Sequence, residues 1–137
     1  MARKGQNQKT GGFTQNEREV RLTNERERLR IIEERFISDS DLVIVRCLLE
    51  EIAFMNVELA EARQIVQAKG IVEEYQNGEN QRGLKKSTAI ETYDKLVNSR
   101  LRCIKQLTDM LPPPTLAPAD GAAQIPGAEI ERFITDG

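Results

Sequence analysis

The 137-residue chain contains no histidine and no tryptophan. The lack of histidine removes the commonest general base and the commonest side-chain metal ligand at once. The only two cysteines, Cys47 and Cys103, are too few to form a zinc site without other ligands. We therefore expect no catalytic residue, no bound metal and no cofactor, and we predict that the chain is not an enzyme.

Aromatic residues make up only 4% of the chain, so a core would depend on Leu, Ile and Val. A small aliphatic core often gains stability when helix faces are buried against another subunit. Charged residues make up 31% of the chain, which is typical of a helical protein with a heavily solvated surface. These features favour a single small domain that forms a homo-oligomer.

No apolar run approaches the length of a membrane span, and the first residues lack the apolar segment of a signal peptide. We expect no membrane contact. Cys47 and Cys103 each lie in an apolar helical stretch, which favours buried thiols in a reducing cytoplasm. A disulfide bridge between them is the alternative.

The two ends of the chain carry opposite charge. Residues 1–13 contain Arg3, Lys4 and Lys9 and no acid, whereas four acids and one arginine follow Pro112. The pattern predicts a flexible basic arm over 1–13 and a linker rich in Pro, Ala and Gly with an acidic end over 112–137. Two different partners would explain the asymmetry, and two solubilising termini would explain it equally well.

Residues 14–36 form the first predicted helix, which has a narrow apolar stripe and alternating charges. Arg21, Arg28 and Arg35 recur on it at seven-residue spacing, and such a row could follow a phosphate backbone. Glutamates at salt-bridging steps favour a solvated face instead. The break at residues 37–41 also leaves a helix-turn-helix open, although the first helix is unusually dense in Arg and Glu.

A long helix is predicted over residues 42–69, begun by the polar run before it and ended by Gly70. Its first half is apolar almost all round, more than one buried side requires. We therefore predict that it supplies a subunit interface as well as its own core. The residues chosen for this interface are Val43, Leu48, Phe54 and Met55.

A β-hairpin is predicted over residues 71–84, because Asn77-Gly78 suits a two-residue type I′ turn. That turn would pair Tyr75 with Asn80 and Glu73 with Arg82. A second long helix is predicted over 88–111, with Thr88 to Glu91 as a capping box and prolines from residue 112 as its end. Beyond it, Ile130, Phe133 and Ile134 form a short amphipathic segment suited to docking on a partner.

The expected fold is therefore mainly α. An N-terminal helix, a long helix, a β-hairpin and a second long helix make one unit over residues 14–111. A flexible basic arm precedes this unit and a Pro-rich tail follows it.

The order of these features resembles the phage terminase small subunits of the short helix-hairpin-helix family. The closest match is residues 75–87 (YQNGENQRGLKKS). It is supported by residues 38–42 (SDSDL), 69–72 (KGIV), 91–93 (ETY) and 106–112 (QLTDMLP). The likeness covers residues 38–113, and its hairpin-to-helix block is the specific part.

The resemblance implies an oligomeric adaptor of about eight to ten chains in a closed ring. Such an adaptor recognises the packaging site on double-stranded viral DNA and recruits the terminase large subunit, which carries the ATPase and nuclease activities. The host bacterial cytoplasm would be its location. In such proteins a C-terminal segment engages the large subunit, a role that would suit residues 128–135.

Basic groups would then contact DNA phosphates without reading bases. The candidates are Arg3, Lys4, Lys9, Arg21, Arg28, Arg35, Lys85 and Lys86. The alternative is a helical protein–protein scaffold or regulatory protein without a nucleic-acid role. The sequence pI of about 5.4 favours this alternative, because most small DNA-binding proteins are basic overall.

Overall fold

A computed structural model of the protein describes residues 11–76, 78, 82–112 and 127–136. Along these residues run α1 (Gln15–Leu29), a 3-10 helix (Arg30–Arg35), α2 (Asp39–Lys69), β1 (Val72–Gln76), β2 (Arg82–Lys86), α3 (Thr88–Asp109) and α4 (Gly127–Thr135). The predicted fold class, mainly helical with a hairpin between two long helices, is confirmed. None of the described helices is long and apolar enough to cross a membrane.

Helix α1 begins where the Thr14 hydroxyl accepts a hydrogen bond of 3.1 Å from the backbone N–H of Glu17. The helix tightens to 3-10 geometry at Arg30 and ends at Phe36, whose backbone is extended. Leu29, Ile32 and Phe36 are all buried in the core. The apolar stripe predicted for this segment is therefore the side that packs against α2.

Helix α2 begins at Asp39, three residues before the predicted start. Ser38 is its N-cap, and its hydroxyl accepts from the backbone N–H of Asp41 at 3.5 Å. Two aspartates in the first turn favour this start, because negative charge is stabilised at a helix N-terminus. The predicted end is confirmed: Gly70 has φ +86°, a left-handed conformation that glycine adopts without strain.

The hairpin is present, but the predicted register is wrong. Tyr75 pairs with Gly83 and Glu73 with Lys85, so five residues rather than two separate the strands. A Cβ atom built on Gly83 would lie 2.7 Å from the Tyr75 ring, so the glycine makes room for that ring. The contact of an aromatic side chain with a cross-strand glycine favours this register over the one that Asn77-Gly78 indicates.

Helix α3 is capped by Ser87 and not by Thr88 as predicted. The Ser87 hydroxyl accepts from the backbone N–H of Ile90 at 3.1 Å, and its own N–H donates to the carbonyl of Ile71 at 2.8 Å. Thr88 instead donates its hydroxyl to Glu73 on the hairpin, at 3.1 Å. A one-residue shift of the cap thus ties the base of the hairpin to the start of α3.

Helix α2 lies at the centre of the structure and packs mainly against α3 and α1. The core that these three helices share contains the fully buried side chains of Leu29, Val45, Ile52 and Leu107. Ile134 from α4 belongs to the same core. The unit that folds around α2 therefore includes a segment that the sequence assigned to a separate tail.

Residues just before α1 also pack on α2. Phe13 is buried, and its backbone N–H donates to Glu61 at 2.7 Å. Gly11 has φ +74°, and a Cβ atom there would meet the Ala68 side chain at 2.9 Å. Residues 11–13 of the predicted arm thus lie against the second half of α2, and residues 1–10 lie outside the described residues.

Candidate nucleic-acid and partner interfaces

The predicted phosphate-contacting residues fall on three parts of the chain. Arg3, Lys4 and Lys9 lie outside the described residues. Arg21 and Arg28 lie on α1, and Arg35 lies on the 3-10 helix that follows it. Lys85 and Lys86 lie on β2. Helix α1 packs against α2, whereas β2 pairs with β1, so these groups lie on separate elements and not in one row along a single helix.

Arg28 is fully engaged inside the protein. Its Nε donates to Glu25 at 2.9 Å, its Nη2 to the carbonyl of Ile134 at 3.0 Å, and its Nη1 to the carbonyl of Phe133. The two carbonyls belong to the last turn of α4, where a cation is favourable because no intrahelical donor remains. Arg28 therefore serves first as the group that holds α4 in place.

Arg21 and Arg35 are less committed. The guanidinium of Arg21 lies 4.2 Å from the centre of the Phe13 ring, and no carboxylate pairs with it among the described residues. Arg35 is half-exposed and has no side-chain partner in the described part of the chain. Because the helix changes to 3-10 geometry at Arg30, Arg35 is displaced from the row formed by Arg21 and Arg28.

Lys85 and Lys86 point to different neighbours. Lys85 lies 3.3 Å from Glu73 across the hairpin, and Lys86 lies 2.8 Å from Asp94 on α3. The hydrogen bond with Asp94 raises the pKa of Lys86, and the hydrogen bond from Lys85 lowers the pKa of Glu73. Exposed pairs of this kind stabilise a fold weakly, so a phosphate could replace either carboxylate at little cost.

A concavity lined by four arginines was not predicted from the sequence. Arg21, Arg28, Arg63 and Arg100 line a cleft of about 280 Å³ between α1, α2 and α3, closed on one side by α4. We call it the arginine cleft. Arg63 and Arg100 lie on different helices, and only the packing of α2 on α3 brings them together. No local pattern in the sequence marks them.

The four predicted interface residues divide between two faces of α2. Leu48 and Met55 are 9% and 6% exposed and belong to the core, so their assignment to a subunit interface was wrong. Val43 and Phe54 are 61% and 51% exposed on the opposite face. Cys47 lies between them on the same face of the helix and is exposed, so its predicted burial was wrong. Cys103 is half-buried, and both cysteines are free thiols. Val43, Cys47 and Phe54 form what we call the α2 stripe.

The predicted docking residues also divide. Ile130 and Ile134 are buried in this chain's own core, whereas Phe133 is 39% exposed. The guanidinium of Arg28 lies 5.0 Å from the centre of the Phe133 ring. For Ile130 and Ile134 to contact a partner, α4 would have to leave its present position.

The chain matches no protein-family model, no curated protein and no solved structure. Within the described residues, no group of three or more Cys, Asp and Glu side chains is arranged to hold a metal ion.

Proposed function

We propose that the protein is the small subunit of a viral DNA-packaging terminase. It would be a non-catalytic adaptor that assembles into a closed ring in the host bacterial cytoplasm. The ring would bind double-stranded viral DNA at the packaging site and recruit the large ATPase–nuclease subunit. The observation that carries this proposal is the order of the elements. A long capped helix, a two-stranded hairpin (Val72–Gln76 and Arg82–Lys86) and a second capped helix follow one another in the order on which the resemblance to that family rests.

The DNA-binding half of the proposal is supported by cations whose charge is weakly compensated within the described residues. Arg21 and Arg35 have no carboxylate partner there, and Lys85 and Lys86 have only exposed partners, Glu73 and Asp94. Phosphate contacts release counterions from DNA, so affinity should fall with salt. Two contacts per chain correspond to a loss of about tenfold between 50 and 200 mM salt.

A fluorescence-anisotropy titration of the purified protein with duplex DNA, repeated across this salt range, tests that half. The variant Lys85→Gln/Lys86→Gln should weaken binding to all sequences alike and reduce the salt slope. Arg46→Gln is a suitable control, because Arg46 is an exposed cation in the first half of α2 and is not one of the predicted phosphate-contacting residues. Binding that is absent or independent of salt would contradict the DNA role.

The assembly half is supported by the α2 stripe, which leaves apolar side chains exposed along the first half of the longest described helix. A patch of exposed apolar side chains on one helix face is typical of a protein–protein interface. Native mass spectrometry should detect a closed assembly of about eight to ten chains. Phe54→Asp should dissociate it, whereas Leu101→Asp, an exposed position on α3 outside the stripe, should not. A wild-type protein that stays monomeric without DNA or the large subunit would count against a preformed ring.

Recruitment of the large subunit is assigned to the C-terminal segment. Deletion of residues 128–137 should abolish pull-down of the large subunit. The deletion also removes Ile130 and Ile134 from the core, so the truncated protein must be checked for folding by circular dichroism. Phe133→Ala is the sharper variant, because this side chain is partly exposed in the docked helix. Unchanged pull-down by both variants would exclude the assignment.

A second candidate function is a protein–protein scaffold without a nucleic-acid role. The net charge of −2 favours it, as does the pairing of Lys85, Lys86 and Arg28 with acids of the same chain. The same DNA titration separates the two candidates. A protein that assembles through the α2 stripe but does not bind DNA would be a scaffold.

A further inference from the structure

The arginine cleft combines a strong positive charge with few acids. Among the described residues, four arginines and one glutamate, Glu25, are the charged groups that line it, and together they carry a formal charge of +3. Glu25 is already paired with Arg28 at 2.8 Å, and Arg28 is otherwise used by the carbonyls of α4. The uncompensated charge therefore resides on Arg21, Arg63 and Arg100.

Each of these three arginines has only a neutral partner among the described residues. Arg21 stacks on the Phe13 ring, and Arg63 donates to the Tyr93 hydroxyl at 3.0 Å. Arg100 donates from Nη1 to the side-chain oxygen of Asn56 at 2.8 Å. An ionised acid within pairing distance of any of them would normally offset this charge, and the described structure places none there.

Arg100 is the most desolvated of the three. It is half-buried, and its Nε is a buried donor with no hydrogen-bond partner in the described structure. Burial is the main reason that the pKa of Arg100 lies below its usual value, and the charge of Arg63 lowers it further. Tyr93, Glu25 and Glu131 raise this pKa and offset part of the effect, but none of the described acids forms an ion pair with Arg100. An anion in the cleft would supply the compensation that Arg100 lacks.

A second concavity shows that arginines alone do not make such a site. Arg26, Arg30 and Arg46 line a surface cleft with two glutamates. Arg26 donates to Glu50 at 2.8 Å and Arg46 donates to Glu33 at 2.7 Å, so most of its charge is neutralised within the chain. The arginine cleft differs because one glutamate is too few to neutralise its four arginines.

We propose that the arginine cleft binds a phosphate group through Arg21, Arg63 and Arg100. Guanidinium groups match phosphate because they offer several donors in a planar fork, and three of them suit an anion with up to two charges. The volume of about 280 Å³ is ample for one phosphate and its first substituent. The group can be free inorganic phosphate or one phosphodiester of a nucleic-acid backbone, since both present the same oxygens.

Binding of inorganic phosphate to the full-length protein tests the site directly. Titration by calorimetry at constant ionic strength, with chloride as the reference anion, should give saturable binding at one site per chain. Arg63→Gln should weaken it by about tenfold, the effect of losing one charge-assisted contact. Arg63 is exposed, so this variant should fold even if Arg100→Gln does not.

Arg102→Gln is the matched control, because Arg102 is exposed on the same helix as Arg100, outside the cleft. Phosphate binding no stronger than chloride binding would overturn the proposal. So would an equal loss of affinity in the Arg63 and Arg102 variants.

A competition experiment with a short DNA duplex identifies the source of the phosphate. If Arg63→Gln weakens duplex binding as well, and inorganic phosphate displaces the duplex, the cleft holds a backbone phosphodiester. If duplex binding is unaffected or absent while inorganic phosphate still binds, the cleft holds free phosphate. The second result keeps the site and leaves the proposed DNA role to be decided by the lysines of the hairpin.

Discussion

Arg18 and Glu61, 43 residues apart in the chain, form a two-pronged ion pair in which Arg18 Nη2 lies 2.7 Å from Glu61 Oε2. The same carboxylate accepts the backbone N–H of Phe13. One buried acid on α2 thereby holds both α1 and the residues before it. Arg26 and Glu50 form a second pair between the same helices, but both side chains are about half exposed.

We expect Glu61→Ala to lower the free energy of unfolding by about 1–3 kcal/mol, because it leaves a buried backbone donor without an acceptor. Glu50→Ala, which removes the exposed pair, should cost less than about 1 kcal/mol. Urea unfolding followed by circular dichroism measures both. Equal losses in the two variants would mean that Glu61 contributes no more than a surface charge.

The contribution of α4 to stability can be tested by comparing substitutions at Ile134 and Phe133. Ile134 is fully buried and Phe133 is partly exposed, although the two are neighbours on one helix. Ile134→Ala should destabilise the protein by about 2–4 kcal/mol, because it opens a cavity in the core. Phe133→Ala should cost about 1 kcal/mol, most of it from the contact with Arg28.

Hydrogen exchange of the amides in α4 gives an independent measurement, with faster exchange expected in the Ile134 variant. If Ile134→Ala changes neither stability nor exchange, α4 does not belong to the folded unit in solution.

The hairpin should respond to acid through Glu73. Its pKa is lowered mainly by Lys85, with a smaller effect from Thr88. A lowered pKa in the folded state stabilises the fold above the unfolded value of about 4.3, and this contribution is lost as the pH falls through the lower folded value. In the Lys85→Gln variant, the pKa of Glu73 measured by carbon NMR should rise towards its usual value. An unchanged titration curve would show that the Glu73–Lys85 contact does not persist in solution.

The two thiols should differ in reactivity. Cys47 is exposed in the α2 stripe, whereas burial raises the pKa of Cys103 and reduces its thiolate fraction. We expect a maleimide reagent at pH 8 to label Cys47 several times faster, as followed by intact-mass spectrometry. If the stripe is a subunit interface, labelling of Cys47 should slow as protein concentration rises, while labelling of Cys103 should not change. Slower labelling of Cys47 than of Cys103 in the Phe54→Asp variant, which should be dissociated, would contradict the exposure of Cys47 in the single chain.

Local signals in the sequence predicted the elements and failed at their edges. Helix α2 ended at Gly70 as expected, because the positive φ angle that stops a helix depends only on the backbone at that residue. Ser87 and not Thr88 caps α3, and α2 starts at Asp39, because adjacent polar residues offer almost equal caps. The choice between Ser87 and Thr88 was decided by a contact with Ile71 at the base of the hairpin.

Side-chain partners across the fold could not be predicted in the same way. Both Leu48 and Phe54 belong to an apolar run, and only the rotation of α2 against α1 and α3 buries one and exposes the other. Likewise, the hairpin register depends on the contact of the Tyr75 ring with Gly83, which has no side chain to block it. This contact is not visible in the Asn77-Gly78 pattern, which predicted a two-residue turn.

The sequence by itself determined that the chain is helical, that its longest helix ends before Gly70, and that a hairpin separates the two long helices. These follow from periodicity, glycine, proline and capping residues, whose effects extend over a few positions. Only the tertiary structure decided that Ile134 lies in the core, that Glu61 joins Arg18, and that Arg63 and Arg100 share a cleft. Those contacts depend on how whole helices cross and rotate, and many distant side chains together set that geometry.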